Sequence, residues 1–325
     1  MPGGGLITRL RGLGATEASE LVIRDFVRLV EKSSGVQEFL EAIDYLKARI
    51  EEYPFSALLV NVARRVFGSL ASGDYGSLEE ARRIVIEAVE SSLRSVVAET
   101  EAAAEIAARR LSDGDVVLTF GYSRSVIRSL EKAAAMGKRI RVIVAESRPL
   151  LDGLEAAKTL VEKGFDVTLI VDSAMRFFAR SATKALLGAD AVMADGSVVS
   201  RAGSGLLALV ANEARVRLIV VAGSYKLYPE TVYGLTVEPP TLGDEIVPDE
   251  LREIGVRGYA PLFEIIPSHL IDALATERGV LAPEAVPLII REIYGDWPPR
   301  LEPINTLVEK ASERLIGLAG GVEKK

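Results

Sequence analysis

From Val116 onward the chain alternates short, continuous apolar runs with segments of helical period, and this alternation restricts the fold more than any other feature. The runs are VVLTF (116–120), RVIVAE (141–146), VTLIV (167–171) and RLIVVA (217–222); ALL (185–187) and AVM (191–193) flank Gly188-Ala189-Asp190. A strand that is apolar at every position is buried on both faces, as in a parallel sheet covered by its crossover helices. The periodicity predicts helices over Ser123–Met136, Leu154–Lys163, Ser173 to about Lys184, and Gly203–Ala214. Upstream, Thr16 to Arg110 reads as helices alone, with apolar residues recurring at Leu21, Ile23, Phe26, Val27 and Val30 and again at Phe39, Ile43, Leu46 and Ile50. Tyr53-Pro54 breaks this pattern because the residue before a proline is pushed out of the α region. The fold class is therefore α/β, with a helical N-terminal domain (1–112) and a Rossmann-like parallel sheet with helices on both faces (113–325). Beyond Pro229 the chain reads as irregular, with short helices over Ser268–Thr276 and Pro283–Tyr294 and a last amphipathic helix near 305–318.

Composition removes several kinds of chemistry. The 325 residues include no cysteine and one histidine, His269. Disulfides, thiolate metal sites, a thiol nucleophile and multi-histidine centres are excluded, and no metal or cofactor is expected. A net charge of −7 argues against direct nucleic-acid binding, which needs clustered positive charge. No apolar run is long enough to span a membrane, and the start MPGGGLITRLRGLG lacks the apolar core of a signal peptide, so a cytoplasmic protein is expected.

In an open parallel sheet, ligands bind in the loops at the carboxyl ends of the strands. The loop after the first strand carries Gly121, Tyr122, Ser123 and Arg124, a hydroxyl at a helix start beside a cation, which suits an anion. Plain N-capping by Ser123 with a solvated Arg124 explains the same residues. Asp190, after a glycine turn within an apolar run, is costly to bury without a partner. Arg201, Gly203 and Ser204 lead directly into an apolar helix, as a phosphate cradle or as a structural turn. Lys226 adds a cation at the end of the last parallel strand. Arg11-Gly12-Leu13-Gly14 follows no strand and lacks a third glycine, so it is not a dinucleotide fingerprint.

Taken in order, LTFGYSRSVIRSLEKAAAMGKRIRVIVAESRP, VDSAMRFF, LLGADAVMADGSVVSRAGS and VAGSYKLYPE resemble the initiation factor 2B α/β/δ family. That family also contains the isomerases of ribose 1,5-bisphosphate and 5-methylthioribose 1-phosphate. The resemblance covers nearly the whole chain, and YKLYPETVYG and ERGVLAPEAVPLIIREIYG look closest to the archaeal ribose-1,5-bisphosphate isomerases. It implies that Asp190 fills the enzymes' catalytic aspartate position and that Lys226 keeps its place. It also implies that Arg11, Gly12 and Gly14 match a phosphate motif. Where those enzymes carry a cysteine this chain has Gly121; where they carry an arginine before a proline it has Tyr53; their Asn-Lys pair reads Ser200-Arg201. TFGYSRSVIRSLE is similar to the initiation-factor α subunit, which also lacks the cysteine.

Moving a hydrogen between adjacent carbons needs one group to take a proton and another to deliver one. With the thiol missing, the resemblance implies a non-catalytic, initiation-factor-like regulator that keeps a pocket for a sugar phosphate or nucleotide monophosphate. An isomerase with an altered acid/base pair, Asp190 catalytic, is the alternative; a purely structural oligomerisation partner is the third. A homodimer or higher homo-oligomer is expected, with initiation factor 2 as a possible partner.

Overall fold

The fold was obtained as a computed structural model that describes residues 12–234 and 238–320. Four helices open it: α1 (Ala15–Lys32), α2 (Val36–Glu52), α3 (Ala57–Ser72) and α4 (Leu78–Arg109). Proline at 54 ends α2, and Ser56 starts α3 by accepting the Leu59 amide. At the start of α4, Ser77 accepts the Glu80 amide while the Glu80 carboxylate reaches back to the Gly76 amide, 2.7 Å away. That arrangement closes a capping box one residue wider than usual. With no glycine or proline to interrupt it, α4 runs 32 residues. Its first half packs Val85 and Val89 among the helices, and its second half lays Ala103, Ala107 and Ala108 on the sheet. One rigid rod thus belongs to both layers, although the sequence pattern changes only after it.

The sheet alternates strands and helices as the apolar runs imply: β1 (Val116–Phe120), α5 (Arg124–Ala135), β2 (Arg141–Ala145), α6 (Asp152–Glu162), β3 (Asp166–Ile170), α7 (Met175–Ala179) and β4 (Lys184–Leu187). Next come β5 (Ala191–Met193), β6 (Val198–Arg201), α8 (Ser204–Ala214), β7 (Arg217–Val221), β8 (Leu227–Tyr228), β9 (Phe263–Ile266), β10 (Ala273–Thr276), β11 (Gly279–Leu281), α9 (Val286–Tyr294) and α10 (Ile304–Gly320). The main sheet has the order β11-β10-β7-β4-β1-β2-β3 and is parallel except for β11. All of β1 is buried; Val117 faces the α4–α5 side while Val116, Leu118 and Phe120 face the other, as strand alternation requires.

Several expectations need correction. Ser268–Thr276 is a single tight turn followed by β10, because Ala273 and Leu274 pair with Ile219 and Val220 and extend the sheet, overriding the helical look of the segment. The helix expected over Ser173–Lys184 lasts only from Met175 to Ala179. VTLIV forms the exposed edge, where only Ile170 is buried, so its apolar character marks a sheet rim and not a centre. The stretch holding Ser200 and Arg201 is the strand β6, paired with β5 and β9 in a second sheet ordered β9-β6-β5-β8. The last helix, α10, packs Leu307, Val308, Ala311 and Leu315 into the helical layer rather than onto the sheet. Among the described residues, no helix is long and apolar enough to cross a membrane.

Helix α6 starts hard against the end of β2, and Gly153 permits it: a Cβ there would lie 1.8 Å from the Ala145 carbonyl oxygen. Gly153→Ala is expected to destabilise the protein by about 1–3 kcal/mol or more, since backbone must move to relieve the overlap. The denaturation midpoint in urea measures it.

Candidate functional site

The chain runs outward from β1 to β2 and β3, then returns to the other side of β1 as β4. At such a reversal the loops leaving adjacent strands diverge and open a crevice. Here the loops are Gly121-Tyr122-Ser123 after β1 and Gly188-Ala189-Asp190 after β4. The second sheet delivers Arg201 at the end of β6 and Lys226 just before β8 to the same place. The starts of α1 and α5 close the wall with Thr16, Glu17, Arg124 and Ser125. Seven expected residues therefore line one cavity of about 30 Å³: Gly121, Tyr122, Ser123, Arg124, Asp190, Arg201 and Lys226.

Asp190 is buried and held from three directions. Its amide donates to the Val199 carbonyl, its carbonyl accepts the Ala57 amide, and its carboxylate accepts the Tyr53 hydroxyl. Burial and the nearby Asp190 charge push the Tyr53 phenol well above its ordinary range, so it stays protonated and donates. The buried carboxylate foreseen in the sequence has its partner in Tyr53.

Arg201 does not pair with Asp190. Its Nε lies 3.1 Å from Asp152 Oδ2, its Nη2 donates to the Leu13 carbonyl, and its guanidinium sits 4.9 Å over the Phe263 ring. Among the described residues, its Nη1 is buried without a partner. Asp152 also accepts the Gly12 amide; burial raises its pKa against the pull of Arg201. Arg124 binds Glu17 at 2.8 Å and Glu20 at 2.7 Å, so it is neither solvated nor a free countercharge.

Lys226 differs from every other cation in the site. It is 2% exposed, and its Nζ is buried without a hydrogen-bond partner among the described residues. The Asn61 carboxamide fixes the backbone around it, donating to the carbonyls of Tyr225 and Leu227 on either side. Burial brings the ammonium pKa down to about 8, with Asp190 and Glu17 favouring the charge and Arg124 and Arg201 opposing it.

The remaining expected residues have other work. The amides of Gly203 and Gly205 donate to Glu264 Oε1 at 2.5 and 2.7 Å, so the start of α8 is already capped by a carboxylate from β9. Ser204 donates to Ser200. Gly12 is bound to Asp152, Gly14 precedes the first turn of α1, and Arg11 lies outside the described residues. Gly121 has φ +73°, a left-handed conformation that a cysteine would hold only at a cost of about 1–3 kcal/mol. Tyr53, Asn61, Asp152 and Glu264 were given no role by the sequence. Apart from the Tyr53 departure from the family pattern, they lie in stretches that read as plain helix, helix start or irregular chain.

This geometry defines a member of a known class. Residues 14–283 match the initiation factor 2 subunit family, and the chain belongs to it. It is 33% identical over 296 residues to a ribose 1,5-bisphosphate isomerase of Thermococcus kodakarensis, covering 88% of this chain and 91% of the relative. The isomerase of the same name from Archaeoglobus fulgidus is also 33% identical, over 87% of this chain and 89% of the relative. The translation initiation factor eIF-2B of Pyrococcus horikoshii superposes with a TM-score of 0.72 at 28% identity, over 83% of this chain and 92% of that one. These relatives overturn the non-catalytic regulator inferred from the sequence, because near-full-length similarity runs to proteins named as enzymes. That inference rested chiefly on the missing thiol, with the departures at Tyr53 and Ser200-Arg201, local losses in a site that retains other titratable groups.

A lysine whose pKa falls on folding loses stability wherever the unfolded chain keeps the proton more tightly. The cost at Lys226 is full below about pH 8 and fades as pH rises toward 10.5. Lys226→Met keeps the buried methylenes and deletes the ammonium. It is expected to raise stability at pH 7 by about 3 kcal/mol, with the gain over wild type shrinking by pH 10 in paired thermal melts.

Proposed function

We propose that the chain is an aldose–ketose isomerase acting on a phosphorylated pentose, with ribose 1,5-bisphosphate as its substrate and Asp190 as a catalytic group. The observation that carries this reading is a pair of buried cationic donors, Arg201 Nη1 and Lys226 Nζ, without partners among the described residues, on the wall of the cavity that Asp190 also lines. Buried polar groups are normally satisfied, and an unpaired buried cation is costly. A phosphate or sugar oxygen would satisfy both donors through charge-assisted hydrogen bonds, about twice as strong as neutral ones. The starts of α1 and α5 border the same cavity, and helix starts favour anions. The similarity to isomerases over most of both chains supports the same substrate class.

Asp190 is suited to proton transfer at carbon. The Tyr53 hydroxyl stabilises its carboxylate and fixes its direction, leaving the other oxygen for the sugar. Arg201 and Lys226 bind the anionic end, while Ser123 and Ser200 offer hydroxyls to the sugar. At about 30 Å³ the cavity is far smaller than a pentose bisphosphate, so substrate entry requires its walls to part.

The purified protein is expected to convert ribose 1,5-bisphosphate to the ketose bisphosphate. Asp190→Asn should lower kcat by about 100- to 10,000-fold while keeping phosphate affinity. A rate assay on the product, with calorimetric titration of the variant, checks both parts; no turnover by the unaltered protein would reject the reading.

Assembly into at least a dimer belongs to the same proposal. Of the apolar residues in the C-terminal element, Val286 is buried in the subunit's own core and Leu281 and Ile289 pack against it, but Leu288 is 66% exposed. Light scattering at micromolar concentration is expected to give twice the subunit mass; a monomer would refute it.

A further inference from the structure

Isomerisation of an aldose that carries phosphate on C1 begins with a difficulty of its own. The phosphate locks C1 into the ring acetal, so the C1–O4 bond must break before a ketose can form, and O4 needs a proton as it leaves. A group that delivers this proton must hold one near neutral pH and give it up readily.

Few side chains in the cavity meet that requirement. Arginine does not give up its proton in proteins, which removes Arg124 and Arg201. Burial raises the phenol of Tyr122 on the cavity wall, and that of Tyr53 bonded to Asp190, further above neutrality. Serine hydroxyls do not ionise in this range. Glu17 Oε1 accepts from Arg124 Nε and the carboxylate of Asp190 accepts the Tyr53 hydroxyl, so each is already engaged as an acceptor, and Asp190 is needed as the base. Lys226 remains: an ammonium inside the cavity wall with no hydrogen bond among the described residues and its backbone clamped on both sides by Asn61.

We propose that Lys226 is the general acid of the reaction and takes over the second proton-transfer role, with Asp190 as the base. This rests on the isomerase reading. The Lys226 ammonium protonates O4 as the C1–O4 bond breaks, and the Asp190 carboxylate removes the proton from C2. The C2–H electron pair becomes the C1=C2 bond of an enol phosphate. Asp190 then returns its proton to C1, while the 2-hydroxyl loses its proton to the Lys226 amine and becomes the C2 carbonyl. Both side chains finish as they began, and no oxidant, metal or further reactant is consumed. The groups facing Lys226 set its readiness: Asp190 from the loop after β4 and Glu17 from α1 hold the proton on, and Arg124 from α5 and Arg201 from β6 drive it off. An ammonium with a pKa of about 8 is still mostly protonated at neutral pH yet donates far more easily than an exposed lysine. The lysine therefore does more than supply countercharge to phosphate.

The test separates the proton from the charge. Lys226→Arg keeps the positive charge and removes a usable proton. In the unaltered protein, kcat/KM for ribose 1,5-bisphosphate is expected to fall as pH rises through about 8. In Lys226→Arg, kcat should drop by about 100- to 10,000-fold, the alkaline fall should vanish, and KM should change little. Lys226→Ala should regain part of its rate when ethylamine is added, a rescue that covers the case of an arginine variant that fails to fold. If Lys226→Arg retains kcat within about threefold and the same alkaline fall, the role is wrong while the isomerase reading survives. If ethylamine fails to rescue a folded Lys226→Ala, the role is likewise wrong. Absence of turnover by the unaltered protein overturns the isomerase reading and this role together.

Discussion

A guanidinium removed from water must find countercharge, and the site is arranged around how Arg201 finds it. Asp152 supplies the charge, the Leu13 carbonyl takes a second donor, and the Phe263 ring lies across the face. Removing one member of such a buried pair typically costs about 3–5 kcal/mol because the survivor is left uncompensated. The pair joins elements distant in sequence, since Asp152 opens α6, Arg201 closes β6 and Leu13 precedes α1. Helix α6 can bring Asp152 into range only because Gly153 lets it crowd the end of β2.

The helical layer is part of the site rather than a support beside it. Tyr53, in the break between α2 and α3, orients Asp190, and Asn61 on α3 clamps the backbone at Lys226. From α4, Glu99 accepts the Tyr225 amide and Thr100 pairs with the Tyr225 hydroxyl, so the residue before Lys226 is fixed as well. Every one of these contacts holds a group whose usefulness depends on direction. Preorganisation of this kind lets a few side chains act on a substrate without rearranging at the moment of reaction.

How much of this could be read from the sequence depends on the range over which each residue acts. The parallel strands were legible because β1, β2 and β7 are apolar at nearly every position, which only two covered faces explain. Asp190 stood out because a charge inside an apolar run demands an explanation, and Lys226 because it follows the last parallel strand, where such sheets bind ligands. The second sheet was not legible: β6 and β9 are four residues each and join only through partners more than 60 residues apart in the chain, as between Arg201 and Phe263 or Val198 and Ile266. Glu264 could not be connected to Gly203 and Gly205 without that pairing, so the start of α8 looked open to phosphate when an internal carboxylate occupies it. The missing thiol was read correctly as an absence. Its weight was misjudged: relatives matching most of the chain are named as isomerases, and the burial of Lys226 in the cavity wall is visible only once the chain is folded.

The two bonds just ahead of α1 have a wider meaning. Gly12 is held by Asp152 and Leu13 by Arg201, the same two side chains that neutralise each other beneath the cavity. Anything that draws Arg201 toward a new anion loosens its hold on Leu13, and anything that pulls residues 12 and 13 away leaves Asp152 and Arg201 short of partners. Occupancy of the cavity and anchoring of this strap are thus thermodynamically linked: a protease probing the strap would sense a ligand it never touches.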